Sequence, residues 1–137
     1  MTTIVFDGST VAWDSRVTAG TDIITDNAQK RYKVDGRTFW FSGTVGDFQE
    51  FVESYAGRES RRELSVSALV LDRDGLYLSS TDGRDIWRTP VLAACALGSG
   101  GDYALGAISC GKSARDAVKI ASTRDACTGG RIRVQKL

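Results

Sequence analysis

Residues 2–17, TTIVFDGSTVAWDSRV, decide the fold because they contain two β-rich runs around a tight turn. Thr2 to Phe6 and Thr10 to Trp13 are rich in β-branched and aromatic residues, which favour strands. Asp7-Gly8-Ser9 lies between them, and Asp-Gly is a strong hairpin signal. The chain is therefore predicted to open with an antiparallel hairpin whose first strand begins at the terminus.

Beyond this hairpin, β-rich and helical segments alternate. Further strands are predicted within 16–34, 38–41, 65–71, 76–78 and 131–134, with turns at Asp-Gly and Asp-Asn pairs. A helix is predicted from Thr44, as its cap, to Gly57, because apolar residues recur at helical spacing. Two more helices are predicted after the glycine-rich segment 98–101 and from Ser113. This order suggests an α+β fold with helices outside stacked antiparallel sheets.

Length and composition limit the possible classes of protein. The 137 residues fit one domain, residues 1–137, and the 42% apolar and 26% charged residues are ordinary for a globular protein. No apolar run approaches the roughly 20 residues of a membrane span. Eighteen basic and seventeen acidic residues leave a net charge of +1, which argues against electrostatic binding of nucleic acid. We therefore expect neither a membrane nor a nucleic-acid partner.

The sequence has no histidine, which excludes Ser-His-Asp and Cys-His catalysis and any imidazole metal ligand. Cys95, Cys110 and Cys127 form no CxxC pair, so reduced, buried thiols are predicted rather than disulfides or a zinc site. We expect no metal and no cofactor. The first residues lack the basic and apolar regions of a secretory signal, so a cytoplasmic protein is expected.

Chemistry without histidine points to the second residue. If Met1 is removed, Thr2 carries a hydroxyl nucleophile and an α-amine that can act as its base. A nearby cation, such as Lys30, would favour the neutral amine, and Asp14 could hold that lysine charged and oriented. Each residue taken alone also has an ordinary structural explanation, as a strand, turn or surface residue.

Four separated segments carry a resemblance to a known family. They are Thr2–Val5, Ala12–Val17, Ala96–Gly101 with Tyr103-Ala104, and Arg124–Gly130. In this order they resemble the N-terminal-nucleophile (Ntn) threonine peptidases, which are the proteasome β-type subunits and the bacterial heat-shock-locus V (HslV-like) peptidases. The similarity spans nearly the whole chain. It implies a four-layer αββα sandwich and threonine-type peptide hydrolysis.

The resemblance also implies a set of site residues. The catalytic residues would be Thr2, Asp14, Lys30, Ser99, Asp125 and Thr128. Thr2 would be the nucleophile, and Lys33 is the nearest rival of Lys30. The backbone N–H of Gly43 would supply the oxyanion hole. Thr128 stands where the family usually has a serine, so the hydroxyl is kept and a methyl is added.

The chain departs from the family in its helical layer. Only residues 44–57 are available where the family has a long helical pair, so a reduced helical layer is expected. The resemblance implies peptide or unfolded-protein substrates, a homo-oligomeric ring and an unfoldase ATPase as a possible partner. Two alternatives remain open: a non-catalytic self-assembling structural protein and an Ntn amidase acting on a small amide. Trp40 and Phe41 are candidates for a specificity pocket or, more commonly, for the core.

Overall fold

The computed structural model describes residues 2–137, so the expected removal of Met1 concerns a residue outside the described part. Within it the chain forms two compact units, one of residues up to Lys30 together with Leu92–Leu137, and one of Arg31–Val91. A single domain over 1–137 stays a prediction.

In chain order the elements are β1 (Ile4–Phe6), β2 (Thr10–Trp13), β3 (Val17–Ala19), β4 (Asp22–Thr25), β5 (Arg31–Val34), β6 (Arg37–Gly43), α1 (Phe48–Tyr55), β7 (Val66–Asp72), β8 (Gly75–Asp82), β9 (Asp85–Pro90), β10 (Cys95–Leu97), α2 (Gly101–Ser109), α3 (Ala114–Ser122) and β11 (Arg133–Lys136). A 3₁₀ turn at Val45–Asp47 precedes α1.

The first unit is built on a four-stranded antiparallel sheet with the order β10-β1-β2-β11. Helices α2 and α3 pack on one face of this sheet, where Val5 and Ala12 meet a layer of small helical residues. The buried helical residues are Ala104, Ala107, Ala114, Ala117, Val118 and Ala121. Small side chains let the helices approach the strands closely, and burial of these residues removes apolar surface from water. A separate two-stranded sheet, β3-β4, belongs to the same unit.

The second unit is a five-stranded antiparallel meander with the order β5-β6-β7-β8-β9. The side chains on one face of β6 and β7 pack against α1, and aromatic residues dominate this cluster. Phe41 stacks on Phe48 at 4.5 Å between ring centroids, and Phe51 meets Phe41 edge-on at 5.7 Å. Offset and edge-to-face pairs of this kind add to the stabilisation from burial itself. Trp40 and Phe41 are both buried, in agreement with the core alternative for these two residues.

Several local predictions need correction. β1 begins at Ile4 rather than Thr2. Thr44 makes no side-chain capping bond, and the α-helix starts only at Phe48 because a 3₁₀ turn comes first. The cysteines are not buried: Cys110 is exposed at the end of α2, while Cys95 and Cys127 are half-buried. The prediction at Ser113 is confirmed, since its side chain accepts a hydrogen bond from Asp116 N at 3.2 Å and caps α3.

Two negative findings apply to residues 2–137. No helix there combines the length and the apolar character needed to cross a membrane. The same residues contain no group of three or more Cys, Asp or Glu side chains arranged to hold a metal ion.

Candidate active site

The register of the first sheet brings the chain's N-terminal end beside two other segments. Ile4 pairs with both Trp13 and Leu97, so the residues just beyond these pairs meet at one end of the sheet. Asp14 N donates to Thr3 O at 3.2 Å, and Gly100 N donates to Thr2 O at 3.3 Å. Thr2 is thereby held, with 2% of its surface exposed, between the segment after β2 and the segment after β10.

A buried lysine links the Thr2 hydroxyl to an aspartate. Lys30 Nζ donates hydrogen bonds to Thr2 Oγ1 and, at 2.8 Å, to Asp14 Oδ1. The Asp14 side chain is fully buried and that of Lys30 is 5% exposed. In so dry a position the ion pair is little screened by solvent. The positively charged Lys30 side chain is therefore hydrogen-bonded to the hydroxyl oxygen of Thr2.

Asp14 is held in place by backbone donors as well as by Lys30. Its Oδ1 accepts from Thr3 N at 3.1 Å, and its Oδ2 accepts from Gly129 N at 3.0 Å and Arg16 N at 3.3 Å. A buried carboxylate must have its lone pairs satisfied, and these donors do so from three separate segments. The direction in which Asp14 faces Lys30 is therefore fixed by the backbone.

The protonation of Lys30 reflects two opposing influences. Burial lowers the pKa of the Lys30 ammonium from its ordinary 10.5, and the charge of Asp14 with its hydrogen bond opposes that shift without cancelling it. The lysine therefore loses its proton at a lower pH than a solvated lysine does.

A second cluster contacts the backbone nitrogen of Thr2. Thr2 N is 3.3 Å from Ser99 Oγ, which donates to Asp125 Oδ2 at 2.6 Å. Thr128 Oγ1 donates to the same carboxylate oxygen at 2.6 Å. Burial alone would raise the pKa of Asp125, but the hydrogen bonds from Ser99, Thr128 and Cys127 N outweigh it, and the pKa lies below its ordinary 3.8. Asp125 is consequently a carboxylate at neutral pH.

Two residues that sequence reasoning missed support this cluster. Thr3 Oγ1 is 2.7 Å from Thr128 Oγ1, and both residues are fully buried. Arg16 donates to both oxygens of Asp26, at 2.7 and 3.1 Å, and to the carbonyl of Ala126 at 2.9 Å. The only sequence signals were the Thr2-Thr3 doublet and the basic residue two positions after Asp14.

The six residues predicted as catalytic thus lie together in the first unit, while the other candidates lie in the second. Lys33 is an exposed residue of β5 and belongs to the unit that lacks Thr2. Gly43 ends β6 with φ of +119°, and a Cβ there would collide with the carbonyl of Ser65. Only glycine fits this position. The role of Gly43 as an oxyanion donor stays a prediction.

Two of the three cysteines differ in how they relate to this site. Burial raises the pKa of the Cys95 thiol to about 11, so that thiol is almost wholly protonated near neutral pH. Cys127 takes part in the cluster through its backbone N–H, which donates to Asp125 Oδ1 at 3.1 Å.

Comparisons with known proteins place this arrangement in context. No family model matches the chain. The ATP-dependent protease subunit HslV of Campylobacter fetus is 32% identical over 124 residues, covering 73% of this chain and 68% of that protein. The protein of the same name from Ligilactobacillus salivarius is 28% identical over 162 residues, covering 93% of this chain and 91% of its own length.

Solved structures show the same fold. HslV from Trypanosoma brucei matches with a TM-score of 0.74 at 22% identity, covering 99% of this chain and 98% of that one. BPH from Thiobacillus denitrificans matches with a TM-score of 0.68 at 17% identity over 99% of this chain and 96% of that one, and it has also been solved in complex with epoxomicin. The fold class expected from the sequence, a mixed α+β fold of the Ntn-hydrolase type with few helices, is confirmed. Together with the identity to the Campylobacter protein, which spans more than two thirds of that protein, these matches show that the chain belongs to the HslV family of proteasome-like protease subunits.

Proposed function

We propose that this protein is a threonine-type peptide hydrolase in which Thr2, exposed by removal of Met1, is the nucleophile. The observation that carries the proposal is the single Lys30 ammonium that donates to both Thr2 Oγ1 and Asp14 Oδ1 in a buried position. A lysine so placed stabilises negative charge on the threonine oxygen, which is what attack on a carbonyl carbon requires.

The first half of the reaction forms an acyl-enzyme. The neutral α-amine of Thr2 accepts the hydroxyl proton while Thr2 Oγ1 forms a bond to the scissile carbonyl carbon. Lys30 stabilises the oxygen as its proton leaves. The protonated α-amine of Thr2 then gives that proton to the nitrogen of the leaving group, the C–N bond breaks, and an ester on Thr2 remains.

The second half regenerates the enzyme. Water attacks the ester carbonyl and gives its proton to the same α-amine. The bond between the acyl carbon and Thr2 Oγ1 breaks, the proton returns to that oxygen, and the carboxylic acid product leaves. Ser99, held by Asp125, accepts a hydrogen bond from Thr2 N and so orients the amine toward the hydroxyl.

The oxyanion formed in each half would be stabilised by the backbone N–H of Gly43. This assignment rests on the resemblance and on the fact that the position admits only glycine. Peptides or unfolded protein segments are the proposed substrates, because the curated relatives are named protease subunits.

The names of those relatives also support an assembly. They are called subunits and ATP-dependent, so we propose that this chain forms a homo-oligomer, expected to be a ring, and that an unfoldase ATPase is its partner. Sedimentation velocity at micromolar concentration is expected to give an oligomer, whereas a strict monomer would contradict the assembly. A cytoplasmic location stays a prediction.

Intact-mass spectrometry tests the nucleophile. The purified protein is measured before and after incubation with the peptide epoxyketone epoxomicin, a reagent that reacts with a threonine hydroxyl and its α-amine together. We expect loss of Met1 and one adduct per chain, with no adduct on Thr2→Ala. Retained Met1 without an adduct would contradict the proposal and favour the non-catalytic structural protein. An adduct without hydrolysis of any peptide, but with hydrolysis of a small amide, would favour the amidase.

A further inference from the structure

Thr3 lies next to the proposed nucleophile but has no part in the bond-making steps described above. Its side chain is fully buried, and its hydroxyl is 2.7 Å from that of Thr128. A buried hydroxyl without a hydrogen-bond partner would destabilise the folded state, so this contact stabilises the fold.

The number of available protons determines which hydroxyl donates in the Thr3–Thr128 hydrogen bond. A threonine hydroxyl has one proton to donate. Thr128 Oγ1 lies 2.6 Å from Asp125 Oδ2, and a carboxylate at neutral pH can only accept, so the Thr128 proton is on that bond. In the contact with Thr128, Thr3 must therefore be the donor.

The resulting chain of hydrogen bonds ends at the residue that faces the Thr2 nitrogen. Thr3 donates to Thr128, and both Thr128 and Ser99 donate to Asp125 Oδ2. Because the Ser99 proton is fixed on Asp125, a lone pair of Ser99 Oγ is left to accept from Thr2 N. The orientation of Ser99 thus depends on how firmly Asp125 is held.

The backbone of Thr3 contacts the other half of the site. Thr3 N donates to Asp14 Oδ1 at 3.1 Å, and Thr3 O accepts from Asp14 N at 3.2 Å. One residue therefore hydrogen-bonds both the aspartate that holds Lys30 and the threonine that holds Asp125. Packing leaves it no freedom, because even a Cβ added to Gly100 would collide with the hydroxyls of Thr3 and Thr128.

We propose that Thr3 is a positioning residue for the hydrolysis, acting through Thr128 and Asp125 on the Thr2 amine. This inference rests on the proposed function. The Thr3 hydroxyl donates to Thr128 and so keeps the Thr128 proton on Asp125. The charge of the Asp125 carboxylate is then neutralised by donors that are held in fixed positions. Without the Thr3 hydroxyl, the carboxylate is less well neutralised and stabilises the protonated Thr2 amine more strongly, so the base is less available at neutral pH.

The test compares Thr3→Val, which loses the hydroxyl at nearly constant volume, with Thr3→Ser, which keeps it. For Thr3→Val we expect kcat for a fluorogenic peptide to fall about ten-fold with KM unchanged, and the acidic limb of the pH–rate profile to move to higher pH. Thr3→Ser is expected to have the wild-type kcat and the wild-type position of the acidic limb. Thr10→Val, the same change in the neighbouring strand β2, is the matched control and keeps the wild-type profile.

A double-mutant cycle identifies the route. Since Thr3 acts through Thr128, Thr3→Val should cost little further activity in a Thr128→Val background. Thr3→Val with a wild-type rate and profile overturns the proposal, as does a full additive loss in the cycle. If Thr3→Val does not fold, the smaller Thr3→Ala replaces it, with thermal unfolding as the check.

Failure of the proposed function gives a different result. In that case the wild-type protein forms no epoxomicin adduct and hydrolyses no peptide, whatever stands at position 3. If the wild type is active and only the Thr3 variants are indistinguishable from it, the peptidase assignment stands and the positioning role of Thr3 is wrong.

Discussion

The Asp14–Lys30 ion pair of the first unit and the Asp47–Arg62 ion pair of the second each join an aspartate of low exposure to a basic side chain, and they differ in what the cation contacts. Lys30 is 5% exposed and donates hydrogen bonds to both Asp14 and the Thr2 hydroxyl. Arg62 is 52% exposed and pairs with Asp47, which is 7% exposed. Its remaining donors go to the Gly46 carbonyl and to Glu50.

The second pair has a structural purpose. Asp47 ends the 3₁₀ turn before α1, and its Oδ2 accepts from Ser65 N at 3.0 Å, next to the start of β7. The segment 58–63 is thus held to the start of α1 by Arg62. The Arg62 guanidinium donates to carboxylates and to a carbonyl, and the Ser60 hydroxyl contacts Arg62 only at its backbone, so this cation is not placed on a hydroxyl as Lys30 is.

The comparison shows that an Asp–cation pair alone does not indicate chemistry. Taking charges out of water is costly, and a fold does not need a buried lysine to be stable. Lys30 is buried all the same, and it contacts the one hydroxyl that carries an α-amine on the same residue once Met1 is removed. The desolvated cation and its hydroxyl partner together distinguish the Asp14 pair.

Lys30→Ala is the change with the largest expected effect. Peptide hydrolysis should fall by about 10³-fold or more, because the Thr2 oxygen loses the charge that stabilises it. Stability should also fall, by about 3 kcal/mol, since Asp14 is left buried with no cation. Peptidase assays and thermal unfolding measure both. Lys33→Ala removes an exposed lysine and is the matched control; loss of activity in that variant instead would contradict the assignment.

Asp14→Asn is expected to have the next largest effect and to change the pH dependence. The rate should fall about 100-fold, because Lys30 is less firmly oriented. The Asp14 carboxylate raises the pKa of Lys30 against the effect of burial, so its loss lowers that pKa further. The basic limb of the pH–rate profile, where Lys30 loses its proton, should therefore move to lower pH. An unmoved limb with an unchanged rate would make Asp14 structural only.

The sequence was sufficient for features that depend on local chemistry. The β1–β2 hairpin follows from Asp7-Gly8-Ser9 between two β-rich runs, and the helix predicted from Ser113 is α3, which Ser113 caps. The prediction that Thr44 caps the helix was wrong. A threonine before a segment with apolar residues at helical spacing has the composition of a cap, but the chain makes a 3₁₀ turn before α1 begins. Local composition does not distinguish these two ways of entering a helix.

The site was only partly predictable. Thr2, Asp14 and Lys30 were suggested by the absence of histidine and by their chemical types, and the other members came from the resemblance. Thr3 and Arg16 were missed because their partners, Thr128 and Ala126, lie more than 100 positions away along the chain. No periodicity or turn signal reports a contact at that separation.

Arg62→Ala has the smallest expected effect and tests the comparison from the other side. Since Arg62 is half-exposed, solvent screens its ion pair, and its removal should lower the free energy of unfolding much less than Lys30→Ala does. Peptide hydrolysis and its pH profile should match the wild type within about two-fold, because the Asp47 pair holds a loop and touches no nucleophile. Chemical denaturation and the same peptidase assay measure the two quantities. A large loss of activity at unchanged stability would mean that the Asp47 pair serves the reaction, and the distinction between the two ion pairs would no longer hold.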